Sequence, residues 1–142
     1  MPLQKNEVIK DIKCGFNHTL ILTNMNTFFM GSIELNQNPF ASKKQIIVEF
    51  QENICSPTIM ELPSLPVKIF ANFDRSGIIT EDGKLYIFGG RDLSKRGGES
   101  GKLDIIDDFK FSTESEVGLG FSHTLIYPWI LWRNKWIIWW KN

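Results

Sequence analysis

The side chains of this chain that could do chemistry are few, and two of them are twins. His18 stands in GFNHTLI (Gly15 to Ile21) and His123 in GFSHTLI (Gly120 to Ile126). A histidine can act as acid, base or metal ligand near neutral pH. Two histidines with no thiol pair beside them fall short of a zinc set. A third, degenerate copy of the same stretch carries Arg75 at this place, which argues against a shared metal site. A histidine recurring at one place of a structural repeat is expected instead to hydrogen-bond a neighbouring turn. Asp107 and Asp108 are adjacent carboxylates, but neighbours on a strand face opposite ways, so they read as a solvated strand end. Cys14 and Cys55 form no CxxC pair. Gly97-Gly98 in KRGGESG follows no strand-to-helix pattern that would cradle a phosphate, and no nucleophile elbow occurs. No catalytic constellation emerges. The expectation is a protein that is not an enzyme and takes no cofactor and no metal.

The elements that must position these residues follow from the repeat itself. Six of seven residues agree between the clear copies, which lie 105 positions apart. Setting Thr80 against Thr23 pairs IKCGFNHTLILT (Ile12 to Thr23) with IFANFDRSGIIT (Ile69 to Thr80), 57 residues after the first copy and 48 before the last. A period of about 50 residues marks a repeating structural unit. EDGKLYIFGG follows Thr80, and NMNTFFMGS follows Thr23 with Asn26 in the place of Gly83. Asp82-Gly83 between apolar runs signals a hairpin, and asparagine is the best non-glycine occupant of a left-handed turn position. After the third copy, Arg133-Asn134-Lys135 serves as the turn and Trp136 to Trp140 parallels Leu85 to Gly89.

Each unit reads as short strands. In the first they are Val8–Lys13, His18–Thr23 and Thr27–Met30, with an outer strand within Gln45–Phe50 or Thr58–Leu62. In the second they are Val67–Ala71, Gly77–Thr80, Lys84–Phe88 and Leu103–Phe111. No window carries helical periodicity with caps. The fold expected is all-β, a partial β-propeller of two to three four-stranded antiparallel blades. The units divide the chain at 1–62, 63–111 and 112–142. Gly15, His18, Thr19, Gly83, Gly89, Gly120, His123 and Thr124 are its structural landmarks. Gly15 and Gly120 are expected where positive φ or close backbone approach is needed, and Phe16 and Phe121 to anchor those turns by burial.

Bulk properties bound the function. The chain has 142 residues, 42% of them apolar, enough for one ordinary domain. Sixteen basic residues balance sixteen acidic ones, so no net field draws it to nucleic acid, and none is expected as a partner. MPLQKNEVIKDIKCG has no apolar stretch of the kind a signal peptide carries. With two cysteines outside any motif, the expected compartment is cytoplasmic or nuclear.

GFNHTLILT, ITEDGKLYIFG and GFSHTLI resemble repeats of the regulator of chromosome condensation family. Gly98 to Leu103 approximates the tail that follows in that family, and Pro57 to Leu62 resembles its outer strand. The resemblance covers about two and a half repeats. Gly89-Gly90 also suits a kelch blade, but the downstream Tyr-to-Trp pattern is missing, and no Trp-Asp dipeptide marks a WD repeat. The resemblance implies a ring of about seven blades, more than twice this chain. Units short of a closed ring leave unpaired edges. A fragment, a truncated product or self-association that completes the propeller is therefore expected.

The function expected is a non-catalytic protein-interaction module that binds through blade-top loops, in residues 32–44 and 91–102. Candidate contacts there are Arg91, Asp92, Lys95 and Arg96. The resemblance implies an alternative, guanine-nucleotide exchange on a Ran-like small GTPase. A third reading is peripheral membrane attachment through the tryptophan-rich end, where Trp129, Trp132 and Trp136 are the candidates. A membrane surface is the least favoured of these partners.

Overall fold

The computed structural model describes residues 3–16, 18–31, 57–90, 103–121, 123–127 and 137–140. Eleven strands fill them, and among the described residues there is no helix. They are β1 (Ile9–Cys14), β2 (His18–Thr23), β3 (Thr27–Gly31), β4 (Thr58–Met60), β5 (Pro66–Asn72), β6 (Arg75–Thr80), β7 (Leu85–Gly89), β8 (Asp104–Ile106), β9 (Glu116–Leu119), β10 (His123–Tyr127) and β11 (Ile137–Trp140). The chain is all-β, with two four-stranded sheets, β1-β2-β3-β4 and β5-β6-β7-β8, and a third of three strands, β11-β10-β9. Every pairing is antiparallel between consecutive strands. Each sheet is a propeller blade.

The repeat is visible in the register. Ile12 faces Ile21 in the first blade, Ile69 faces Ile78 in the second, and Val117 faces Ile126 in the third. Two apolar layers join the blades. Leu20, Leu22, Phe29 and Met60 of the first pack on Ile69, Ile78 and Phe88 of the second. The opposite face of the second, with Phe70, Ile79, Leu85 and Ile87, packs on Val117, Leu119 and Ile126. Alternate residues of β5, β6 and β7 therefore serve opposite neighbours, and β6 is buried along its whole length. Each fully buried Ile or Leu contributes about 1.5–3 kcal/mol. Lys68 ties β5 to the third blade, donating to the carbonyls of Thr113 and Ser115 at 3.0 and 2.7 Å and meeting Glu116 at 2.9 Å.

Several local expectations need correction. The outer strand of the second blade is shorter than Leu103–Phe111 and spans only Asp104–Ile106. Phe111 leaves the sheet because its N–H donates to the Gly83 carbonyl at 2.9 Å, across the β6–β7 turn. Asp107 and Asp108 are exposed just past the strand. Gly83 adopts φ 84, as a turn glycine should, but Asn26 is not left-handed. Instead Asn26 donates its side-chain N–H to Glu7 Oε1 at 3.0 Å, and Thr23 Oγ1 donates to the same oxygen at 2.6 Å. A carboxylate from the preceding segment therefore holds the first blade's turn, while in the second Thr80 Oγ1 donates to Asp82 of the turn itself. The outer strand of the first blade is Thr58–Met60. The alternative within Gln45–Phe50 and the turn at Arg133 to Lys135 lie outside the described residues.

Candidate interaction face

The antiparallel order fixes which connections share an end. Strands β1, β3, β5, β7, β9 and β11 run one way and their partners run back. The turns after β1, β5 and β9 therefore lie at one end of the sheets, where β3 and β7 also end. Those turns carry the three copies of the motif at Gly15-Phe16, Asn72-Phe73 and Gly120-Phe121.

The first and third turns are built alike. Gly15 N–H donates to the His18 carbonyl and Gly120 N–H to the His123 carbonyl, both at 2.8 Å. Neither glycine has positive φ, which corrects half of the expectation. Close approach is the reason that holds. A Cβ at Gly15 would overlap the His18 ring and the Phe73 carbonyl, and one at Gly120 would overlap the His123 ring. The Phe73 carbonyl instead accepts the Phe16 N–H at 2.6 Å, linking the first two turns.

Phe16 and Phe121 do not anchor their turns by burial; they are 86% and 57% exposed, and Phe73 at the same place of the second unit is 48% exposed. A turn at the end of a sheet has no layer above it, so residue type gives way to position. The rings of Phe73 and Phe121 meet edge to face with centroids 6.2 Å apart. Phe73 sits at φ 49, a left-handed conformation that costs a bulky residue on the order of 1 kcal/mol or more, and its N–H donates to Asn72 Oδ1 at 3.0 Å.

Beneath these rings lie the polar groups that the sequence singled out. His18 is 3% exposed, with Nε2 2.9 Å from Ser76 Oγ on the next blade and its ring stacked near Phe29. Burial pushes its pKa below the ordinary 6.5, partly offset by a backbone bond to Arg75 and by the charge of Asp74. A hydroxyl beside a neutral imidazole is the pairing of a nucleophile with its base. Here Ser76 is 0% exposed, so no substrate carbonyl reaches it. Arg75 takes the histidine's place and does the same work with more bonds. It donates to the Gly120 and His123 carbonyls at 3.0 and 2.6 Å and to Thr124 Oγ1 at 2.7 Å. Burial lowers its pKa, opposed by Asp74 and Asp104, yet a guanidinium stays charged.

The remaining landmarks scatter. Thr19 Oγ1 donates to Cys14 Sγ at 3.6 Å within the first blade, and Thr124 receives Arg75. His123 is exposed. Gly89 ends β7 at φ 80, and Gly83 lies at the opposite end of its sheet. Arg91, Asp92, Lys95, Arg96, Trp129, Trp132 and Trp136 lie outside the described residues, so the structure does not join them to this face. Among the described residues no group of three His, Cys, Asp or Glu could hold a metal ion. Nor is any helix there long and apolar enough to cross a membrane. Sequence reasoning missed Phe73 and the joint role of Arg75; the signal was a phenylalanine in the same turn position of all three units.

No family model and no curated protein matches the chain. Solved structures do. Human WBSCR16 superposes with TM-score 0.62 at 18% identity over 87% of this chain and 34% of its own. Prp20p of Saccharomyces cerevisiae, whose structure was described with its binding to Gsp1p and histones, superposes with TM-score 0.58 at 22% identity, over 83% of this chain and 30% of its own. The chain thus spans about a third of the length of each. The likeness establishes the fold: these sheets are consecutive blades of a β-propeller of the type found in the regulator of chromosome condensation.

Proposed function

We propose that the chain is a protein-interaction module that binds its partner through the turn end of the blades, with Phe16, Phe73 and Phe121 as anchors. One observation carries this reading. The same turn position holds phenylalanine in all three units, and every one of these rings stands open to solvent rather than in the core. Exposed aromatics concentrated on one face are characteristic of protein-binding surfaces, where a few such residues supply most of the affinity. One of them is held in a strained backbone conformation, as recurs at functional sites. The test is calorimetric binding to a Ran-type GTPase and to histones, the partner classes named for Prp20p. Binding that weakens at least about tenfold in Phe16→Ser or Phe121→Ser, with the melting temperature unchanged, supports the reading. Affinity indifferent to both substitutions would sink it.

A second reading, nucleotide exchange on a Ran-like GTPase, is favoured by the fold likeness to Prp20p. It is tested by release of labelled GDP. Binding without faster release strikes out exchange and leaves the module. Cytoplasm or nucleus is the proposed location.

A further inference from the structure

We infer that the chain associates head to tail with a second copy of itself, the outward face of its third blade docking on the outward face of its first. The two joints inside the chain supply the template. At each, the residue in the histidine position crosses to the hydroxyl one place further along the motif in the next blade. His18 meets Ser76, and Arg75 meets Thr124. Beside each hydroxyl, an apolar residue of the sheet's first strand is covered by the preceding blade. Ile69 is 0% exposed at the first joint and Val117 8% at the second.

The chain presents both halves of this joint once more, apart. Ile12 holds in the first blade the register position of Ile69 and Val117, yet it is 52% exposed. Thr19 holds the position of Ser76 and Thr124 and is partly exposed, and neighbouring Cys14 is exposed. On the third blade His123 holds the position of His18 and Arg75, which are 3% and 7% exposed, but is itself exposed, with Leu125 two places on and half-buried. Two further residues of the first blade, Ile21 and Phe28, are already 8% and 4% exposed. The docking area is therefore the β1–β2 half of that face. Its occupant is specified by continuity: each joint inside the chain takes its polar residue from the histidine position of the preceding blade, and among the described residues the third blade's His123 is the one at that position that stands exposed. Such an interface is heterologous, so repetition gives a ring if the rotation closes and a polymer if it does not.

Sedimentation velocity over a wide concentration range tests this, using the wild type, Ile12→Lys and His123→Glu. Both substituted side chains are exposed, so the variants should melt as the wild type does; should I12K melt early, Thr19→Lys probes the same face. Concentration-dependent association of the wild type is expected, as a ring or a polymer, with the dissociation constant raised at least tenfold in each variant. The decisive arm is the mixture. Each variant keeps one intact face, so an equimolar mixture should form dimers and nothing larger. A wild type that stays monomeric, a mixture that stays monomeric, or variants that associate as the wild type does would each overturn the inference. Partner binding at the phenylalanine turns is read separately and survives any of those results.

Discussion

The two joints inside this chain solve one problem with different chemistry. Both must carry a polar group across a buried boundary between blades. At the first, a neutral imidazole, His18, meets the Ser76 hydroxyl and the Arg75 backbone of the next blade. At the second, a guanidinium satisfies two carbonyls and a hydroxyl from Arg75. A buried cation is tolerable only when its donors are used, and three acceptors converge to use them. The strand packing has shifted to match. Lys13 faces Leu20 in the first blade, whereas Phe70 faces Gly77 at the equivalent pair, the large residue having moved to the other strand. A Cβ on Gly77 would make ordinary contact with the Phe70 side chain at 3.5 Å and Gly77 has no positive φ, so what Phe70 replaces is the bulk of a side chain beyond its Cβ. One repeat can thus exchange both its latch and its filler while keeping its register.

The largest expected effect separates the latches. Arg75→Met keeps bulk but takes the guanidinium donors from the Gly120 carbonyl and the buried Thr124 hydroxyl, and should cost about 3 kcal/mol. His18→Leu loses neutral bonds to the Ser76 hydroxyl and the Arg75 backbone and should cost less, about 1–2 kcal/mol. Chemical denaturation of the two variants measures the difference, and equal losses would mean that the extra bonds of Arg75 add nothing. Next come the glycines. Gly15→Ala pushes a methyl into both the His18 ring and the neighbouring Phe73 carbonyl, neither of which has room to move, so about 2–3 kcal/mol is expected. Gly120→Ala meets only the ring of an exposed side chain, His123, and no backbone atom, and should cost less, about 1 kcal/mol.

The pH dependence of stability should belong to the first joint. Burial holds His18 below 6.5 in the folded chain, so on acidification the unfolded chain takes up the proton first. Stability is then full above pH 6.5 and falls as pH drops through 6.5 towards the lower native value, levelling once both states are protonated. Arg75 contributes no such slope, because it is charged throughout this range. Glu7 acts in a separate window. Hydrogen bonds from Thr23, the Gln4 backbone and Asn26 hold its carboxyl below 4.5, so its contribution is present above 4.5 and is lost below it. Replacing His18 with Gln should remove the decline that begins at pH 6.5 and leave the one below 4.5. Urea midpoints measured at successive pH values check both.

Much of this fold is legible in the sequence because the repeat speaks at several levels at once. The spacing of the motif, the Asp82-Gly83 hairpin and the apolar runs agree on strand order, and Ile137–Trp140 pairs with β10 as Leu85–Gly89 pairs with β6. What stays hidden is whatever a neighbouring blade decides. Nothing local tells that Gly15 is needed for a carbonyl arriving from Phe73. Nor does anything local tell that Asn26 serves a carboxylate nineteen residues upstream rather than a left-handed turn. The turn phenylalanines mislead for a simpler reason, since their residue type predicts burial and their place at the end of a sheet forbids it.

Phe73 belongs to both joints and yields the smallest stability effect. Its carbonyl serves the first joint through the Phe16 N–H, and its ring leans on Phe121 beside the second. Phe73→Asn keeps the carbonyl and removes the ring. The lost aromatic contact, half in solvent, costs about 0.5–1 kcal/mol. Asparagine accepts φ 49 more readily than phenylalanine and recovers a similar amount. The two should nearly cancel, leaving a net change within about 0.5 kcal/mol. If the strain is maintained for the sake of the exposed ring, partner affinity should nonetheless fall while the melting temperature holds. A large loss of stability would mean instead that the Phe73–Phe121 contact is part of the second joint's strength, and that joint would then rest on more than Arg75.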